Sequence, residues 1–592
     1  MLAKLLSARN LEQTLQRAVI HGDPNVLLPT VPVAELRDLY SRMRANDAPG
    51  VAQSLLNALR VSVHETGSVG KVPSTGAAVV VANHPFGLLD GAVLLSILTQ
   101  VRPDVRLLVN RVLRCVPGME KHCIFVDPFS TADRALNGVA LRQALQWLRS
   151  GGLLATFPAG EVAHFRISEA ALTDPQWAPT AAWLAKQAGC DLVPVFFQGR
   201  NSVPFQIVGL LHPAFRTLRL PRELLNKQHQ TVRFAVGSPI SKAQIAAIDD
   251  GRAITSIARW RTYSVPNRLG AVVSTKVRRH ATPVAAAVNR DQFGSELAAL
   301  RASGGVVEET NEYEVLLMRG AKYSAVMHEI GRARELAFRH VGEGSGKSID
   351  LDQFDEYYDH LLLWHKRECA IAGGYRLART ADVLSSRGIR GLYTSTLFRF
   401  KPNFFRQLGP AIELGRSFVA LDFQKTYAPL YLLWRGIGSY LAESGGTPVL
   451  FGPVSISREY SDKSRQVITT YFQLRNAEDP LAELVQPKSF RRPGHLRSWE
   501  LEALAHVSDL DALGYEVAQL EPDGKGLPVL LRQYVKLGGR LLAFNIDGQF
   551  SSVIDGLVVV DVRHTEPRIA AKYIGKERHE LLCRKEASGV CP

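Results

Sequence analysis

Long hydrophobic runs are missing from these 592 residues: no window approaches eighteen uninterrupted apolar positions, so by the usual criterion no helix of this chain spans a bilayer. The first residues, Met1 to Glu12, interrupt their apolar run with Lys4 and Arg9 and lack a signal-peptide core. Cysteine is scarce. The six residues Cys115, Cys123, Cys190, Cys369, Cys583 and Cys591 form no CxxC pair and no metal-ligand spacing, which argues against a disulfide framework or a zinc site and fits a reducing compartment. Cys123, beside His122, reads as a packed strand residue rather than a reactive thiol. Acid is in deficit: 56 Asp and Glu stand against 71 Lys and Arg, a formal charge of +15. The imbalance is local, because residues 200–280 carry 14 Lys and Arg against the three acids Glu223, Asp249 and Asp250. There Leu210, Leu211, Phe215, Leu218 and Leu220 interleave with Arg216, Arg219 and Arg222, a pattern that suits a peripheral surface lying on anionic headgroups. No nucleic-acid motif accompanies the patch, so nucleic acid is not taken as the partner.

The length exceeds one core and predicts two to four units. Residues 1–60 read as helices packing beside the first domain (Leu11, Leu15, Val19; Leu36, Leu39, Tyr40, Met43), broken by Pro24, Pro29 and Pro32. Residues 61–250 alternate strands (78–82, 105–109, 123–126, 153–157, 192–197) with helices (after Asp90, 132–149, 178–189), and Thr231–Val236 is expected as a late edge strand. That alternation implies an α/β sheet with its site at the strand ends. Residues 251–305 read as a basic connecting helix and linker, 306–570 as a second α/β domain, and 571–592 as a tail. In the second domain Tyr313–Met318 and 361–364 are expected as strands and 323–339 as a helix. The acid-rich run from Asp350 lacks the glycine and terminal Glu of an EF-hand, so calcium is not expected, and His360 reads as packed.

Chemistry concentrates first in Val79–Gly91. A β-branched run ends in Asn83-His84-Pro85, and the apolar run Ala92–Leu98 starts just after Asp90. An imidazole and a carboxylate therefore sit on a strand-to-helix turn, the pair that acyl transfer to a hydroxyl needs: a base to take the alcohol proton and an acid to fix its tautomer. Downstream lie Gly152–Glu161, a strand ending in a Pro/Gly turn, and the buried strand Leu192–Val195.

In this order and spacing the three blocks, over roughly residues 55 to 245, resemble the glycerolipid acyltransferases, whose Asn-His…Asp motif does the chemistry. The resemblance implies catalytic roles for His84 and Asp90, and substrate contacts at Asn83, Gly87, Asp127, Phe157, Pro158, Gly160, Glu161 and Pro194. Two departures matter. Five residues, Pro85 to Leu89, separate His and Asp where the family usually has four, a longer form similar to lyso-ornithine lipid O-acyltransferases. The arginines that hold an acceptor phosphate in the family are absent from Cys123–Pro128 and Phe157–Val162, where Asp127 and Glu161 stand instead. That exchange argues for an acceptor without phosphate and with a positive amine; a turn at Asp127-Pro128 and a helix cap at Glu161 are the alternative.

The second half carries Arg334 with Phe338, the acids Asp350, Asp352 and Asp355, then Ile371–Leu377, Ile412–Val419, Leu433–Ile437, Leu450–Ile456 and Pro528–Gly538, followed by Asp547 and Phe550. These blocks resemble amino-acid N-acyltransferases that make lyso-ornithine lipid and, more distantly, acyl-homoserine-lactone synthases on the same acetyltransferase-like (GNAT) fold. There a free amine attacks the thioester directly, so no side-chain nucleophile is needed. The resemblance implies that Glu413 orients or deprotonates the amine and that Arg416 binds its carboxylate or joins the local ion network; a structural Glu413/Arg416 pair is the alternative. It also implies substrate contacts at Arg334, Asp350, Asp352, Asp355, Arg376, Trp434 and Ser455. Helix capping would equally account for the three aspartates, and Tyr534, Trp434 and Phe451 would ordinarily be core.

Together the halves resemble bifunctional ornithine-lipid synthases. The expectation is N-acylation of ornithine by the C-terminal domain with a 3-hydroxyacyl group from acyl carrier protein, then O-acylation of the 3-hydroxyl by the N-terminal domain. Neither step calls for a cofactor or metal. The expected partners are an acidic acyl carrier protein, an amino acid and, through residues 200–280, the cytoplasmic face of the inner membrane. Other readings remain open: the same chemistry on glycine, serine or lysine, a lysophosphatidate acyltransferase joined to a GNAT module, and a non-catalytic carrier-binding scaffold.

Overall fold

The computed structural model describes residues 31–587 except 47, 49, 116–117, 127–133, 212, 271–281, 446, 490–495 and 548–552. The sequence expectations at Leu11, Leu15, Val19, Pro24, Pro29, Asp127, Pro128 and Phe550 lie outside these residues. The chain divides into two compact units: Met1–Ala271 with Leu496–Ser508 and Pro522–Gly524, and Val272–His495 with Asp509–Glu521 and Lys525–Pro592. The architecture is α/β throughout, with helices on sheets in both.

The first unit is built on strands β1 (Ser62–Glu65), β2 (Ala78–Ala82), β3 (Val105–Asn110), β4 (Cys123–Val126), β5 (Leu153–Thr156), β8 (Asp191–Gln198) and β9 (Thr231–Val236), in the order β1-β9-β8-β2-β5-β3-β4. A separate two-stranded hairpin, β6 (His164–Arg166) and β7 (Ala171–Thr173), interrupts the series. All neighbours in the sheet are parallel except β8 and β9. Central β2 reads Ala-Val-Val-Val-Ala and is fully buried, because both faces of the sheet are covered and neither side of the strand meets water. One face packs on α2 (Val51–Leu59) and α3 (Leu88–Val101). The other packs on α4 (Arg134–Arg149), α5 (Thr180–Ala188) and α8 (Gly251–Gly270). Helix α1 (Val33–Ala45) buries Leu39 beside the first group, and α6 (Val203–Leu211) leads into α7 (Pro213–Leu225).

Several expectations change. Thr231–Val236 is an inner strand, since Ser62–Glu65 pairs outside it as the true edge. All four residues of β1 are exposed, so no apolar alternation marks it in the sequence. Helix α8 is no connector, because Ile254 and Ala258 complete the core of the first unit. Residues 571–587 are no loose tail: a π-helical turn, Ala571–Gly575, runs into the helix Lys576–Ala587, burying Tyr573, Ile574 and Leu582.

The second unit centres on an eight-stranded sheet of β10 (Val306–Glu309), β11 (Tyr313–Met318), β12 (Asp359–His365), β13 (Ala370–Arg379), β15 (Ala411–Val419), β16 (Val449–Ile456), β18 (Arg540–Asp547) and β19 (Val553–Asp561). Their order is β10-β11-β12-β13-β15-β16-β19-β18, with a small pair β14 (Phe398–Phe400) and β17 (Val485–Pro487) beside it. Every neighbouring pair is antiparallel except β15 and β16, which are parallel only from Ala411↔Val449 to Glu413↔Phe451. Beyond Glu413 both strands continue unpaired with each other, and the sheet opens between them. At the mouth of this split Gly452 has no room for a side chain, since a Cβ would lie 2.1 Å from the Leu414 carbonyl. Helices α9 (Ser324–His340) and α10 (Ala428–Glu443) pack against the sheet.

Candidate active sites

In the first unit the helix after β2 begins at Leu88, before Asp90 rather than after it. The cause is Gly87, whose φ of +89° ends the turn, and Asp90 itself, whose Oδ2 accepts the amides of Phe86 at 2.8 Å and Gly87 at 3.0 Å. An acid in the first turn also meets the positive end of the helix dipole. The same Oδ2 lies 3.0 Å from His84 Nδ1, so in the neutral imidazole Nδ1–H donates to the carboxylate and Nε2 is left as the base. Burial raises the Asp90 carboxyl pKa, opposed by His84 and the two amides. The His84 ring stacks on Phe157 with centroids 4.2 Å apart, and its backbone N–H donates to Asp174 Oδ1 at 3.1 Å. Asp174 is itself held by Trp177 Nε1 at 2.9 Å and by the Arg259 guanidinium, which donates to its carbonyl at 2.6 Å. The base is thus fixed on both sides.

Other predicted residues have different work. Both amide atoms of Asn83 bind the backbone of Phe197, which locks the ends of β2 and β8 together. Pro194 lies inside β8 opposite Val81, and Pro158 is buried with its carbonyl on Ala178 N; both are framework. Gly160 is exposed on the turn after β5. Glu161 is no helix cap but an ion-pair partner: Arg216 of α7 reaches its Oε2 at 3.1 Å. A guanidinium absent from the third block itself thus reaches it from fifty-five positions away in the sequence and offsets the Glu161 charge. Unforeseen in the sequence is Lys227, buried with its ammonium 4.6 Å from the Phe86 ring centroid and donating to the Arg200 carbonyl. Burial lowers its pKa, while Glu223 and Asp90 act to raise it.

In the second unit Arg334, Arg376 and Arg416 interleave with Asp350, Asp352 and Asp355. Arg334 bridges Asp350 at 3.0 Å and Asp355 at 2.8 Å; Arg376 bridges Asp352 at 2.6 Å and Asp355 at 3.1 Å; Arg416 reaches Asp352 at 3.1 Å and Asp350 at 3.3 Å. Burial acts to raise the Asp350 and Asp355 carboxyls, but the arginines outweigh it and hold both below the ordinary range. Capping and ion pairing coexist, since Asp352 also caps the turn Gln353–Glu356. Arg416 sits at φ +47° where the β13–β15 register slips, a left-handed conformation that a non-glycine residue adopts at a cost. His360 is buried on the Asp355 carbonyl, and burial pushes its pKa down to about 4. Trp434 is fully buried, edge-on to Tyr534.

Glu413 is fully buried, and its carboxylate accepts Tyr358 OH, Tyr393 N at 3.1 Å and Thr394 N at 2.7 Å. It pins the Tyr393–Thr394 loop to β15, and it forms no pair with Arg416. Another acid on the same face of the sheet is better placed. Register pairs share a face and alternate residues repeat it, so Glu413, Phe451, Ser455 and Asp555 lie on one side, as do Arg376 and Asp547. Ser455 Oγ donates to Asp555 Oδ1 at 2.9 Å, and burial with the neighbouring Asp547 charge pushes the Asp555 carboxyl up to about 7. Arg416 is near enough to act on the same carboxyl. Asp555 went unmarked in the sequence because nothing local distinguishes an Asp inside the apolar run 553–560 from a strand defect.

The chain resembles known proteins in both halves. The family model described as Acyltransferase matches residues 56–272, and that described as Acetyltransferase (GNAT) domain matches residues 333–434. A Glycine N(alpha)-acyltransferase of Bacteroides thetaiotaomicron is 31% identical over 294 residues, covering 46% of this chain and 84% of that protein. The chain belongs to the acyltransferase family of that protein. A second member of this acyltransferase family, a Glycine N(alpha)-acyltransferase of Phocaeicola vulgatus, is 31% identical over 37% of the chain and 70% of its own length. A Lyso-glycine lipid O-acyltransferase of the same organism is 28% identical over 28% of the chain and 61% of its own length. The protein is an acyltransferase in which an acyltransferase domain precedes a GNAT domain.

Proposed function

We propose that this acyltransferase makes an amino-acid lipid in two steps, one in each unit. The observation that carries the reading is the pairing, in one chain, of a His84–Asp90 dyad suited to a hydroxyl acceptor with a split-sheet site suited to an amine. In the first step the α-amine of an amino acid attacks the thioester carbonyl of a 3-hydroxyacyl group on acyl carrier protein. The C–N bond forms, the C–S bond breaks, Asp555 takes the amine proton, and the thiolate leaves to be protonated by solvent. Arg416 and its partners Asp350 and Asp352 form the fixed ion network beside that carboxyl. In the second step His84 Nε2 removes the proton of the 3-hydroxyl as its oxygen attacks a second acyl thioester; the C–O bond forms, the C–S bond breaks, Asp90 stabilises the imidazolium, and the proton passes from it to the leaving thiolate.

Ornithine is the proposed headgroup, supported by the acids Asp547 and Asp555 beside Ser455, which suit a cationic amino acid. Glycine is the second reading, supported by the names of the relatives.

Lipid mass spectrometry in a host without aminolipids tests the whole scheme. Wild type is expected to yield a diacylated amino-acid lipid, His84→Ala to stop at the monoacyl form, and Asp555→Asn to yield neither. The headgroup mass separates ornithine from glycine. Altered phosphatidate species without any aminolipid would sink the reading.

A further inference from the structure

The loop that follows β5 is bonded directly to the base of the first site: Ala163 N donates to the His84 carbonyl at 2.7 Å. Two residues later the chain is at the surface, where Phe165 is 36% and Ile167 77% exposed. Helix α6 packs on this hairpin, with Gln206 Oε1 accepting Phe165 N at 2.9 Å. Val203 and Ile207, four apart, share one side of the same helix and are 62% and 57% exposed. Single exposed apolar residues are ordinary, but four large ones from two segments joined by a hydrogen bond make a patch.

The patch has a basic border. Arg200, three residues before Val203, and Arg222 of α7, which packs on α6, are both exposed and have no ion-pair partner among the described residues. The neighbouring Arg166 and Arg216 are already matched to Glu169 and Glu161. Protruding apolar side chains bordered by unmatched guanidinium groups complement an anionic bilayer, whose headgroups take the charge while the apolar tips pass below them.

We propose that Phe165, Ile167, Val203 and Ile207, with Arg200 and Arg222, form a bilayer-docking patch that seats the first unit on an anionic membrane next to His84. The inference deepens the proposed function by naming the surface from which a lipid acceptor would enter, and it rests on that reading only for this purpose.

Co-sedimentation of the full chain with vesicles tests it, without acyl donor or acceptor, so the outcome is independent of whether either acyl transfer occurs. Wild type is expected to bind phosphatidylglycerol/phosphatidylethanolamine vesicles at least tenfold more tightly than phosphatidylcholine vesicles. The triple variant Ile167→Asp, Val203→Asp, Ile207→Asp is expected to lose binding tenfold or more on the anionic vesicles. Arg200→Glu with Arg222→Glu is expected to abolish the preference for anionic lipid. Unchanged melting temperatures and circular dichroism exclude misfolding, and Ile167→Ser alone, a milder change, serves if the triple variant does not fold. Wild-type binding by the variants would overturn the proposal. So would retained vesicle binding together with lost capture of purified acyl carrier protein, which would make the patch a protein-docking surface.

Discussion

Asp555 differs from Asp350 and Asp355 in that burial and a neighbouring acid outweigh the nearby Arg416. Its pKa in the folded chain, about 7, lies above the ordinary value of 3.8, and Glu343 is likewise pushed up to about 8 by burial, Asp555 and Glu459. A raised carboxyl binds its proton more tightly when folded, so it contributes stability below pH 3.8 that is lost as pH rises through 7. The expected outcome is that Asp555→Asn melts with a flatter pH dependence between pH 4 and 8 and is more stable than wild type at pH 8. Its amine acylation is expected to fall by about 10²- to 10⁴-fold, the usual scale of a general base. The rising limb near pH 7 should disappear with it; a limb that persists in the variant would move the base elsewhere. Lys227 offers a second test in the other unit. The charges around it are Asp90, Glu223 and, beyond Asp90, His84 and Asp174. Lys227→Met removes the positive charge that interacts with Asp90, so the Asp90 carboxyl is expected to hold its proton more tightly and the acid limb of O-acyl transfer to move to higher pH, while Lys227→Arg restores it. A uniform loss of rate with an unmoved profile would leave Lys227 a packing role only.

Among the elements, β15 carries the most constraint. It binds β13 on one side with a slipped register and β16 on the other for only three pairs, and the slip places Arg416 over the aspartates. The cluster locks α9, through Arg334, to the loop that carries Asp350 and Asp355. All three of these side chains are at most 4% exposed, and removing Arg334 leaves the three carboxylates of the cluster to Arg376 and Arg416 alone. Arg334→Met should therefore destabilise the second unit by about 3–5 kcal/mol, seen as a lower urea midpoint in equilibrium unfolding. An unchanged midpoint would mean that hydrophobic replacement offsets the lost pairs, and that the cluster is held for function rather than stability.

At the scale of the whole molecule, two separate constellations in one chain predict separable activities. Coexpression of the His84→Ala and Asp555→Asn chains in a host without aminolipids should restore diacylated product, since each supplies the step the other lacks. Failure to restore it, with both chains folded and expressed, would show that the intermediate does not leave the chain that makes it.

By itself the sequence determined the α/β class, the acyltransferase and GNAT order, and the His84–Asp90 dyad. These were legible because a strand buried on both faces is a continuous β-branched run, and because the dyad lies within seven residues of one strand-to-helix turn. The exposed strand β1, the place of α8 in the first core and the match of Glu161 to Arg216 are facts of tertiary structure only. So is the choice between Glu413 and Asp555. Both are buried acids in strands, but Glu413 is enclosed by amides from a loop about twenty positions earlier, whereas Asp555 meets Ser455 across a pairing one hundred positions wide. Local pattern reports which face a residue prefers. Long-range register decides which other charges it will meet there, and it is those charges that set its proton affinity.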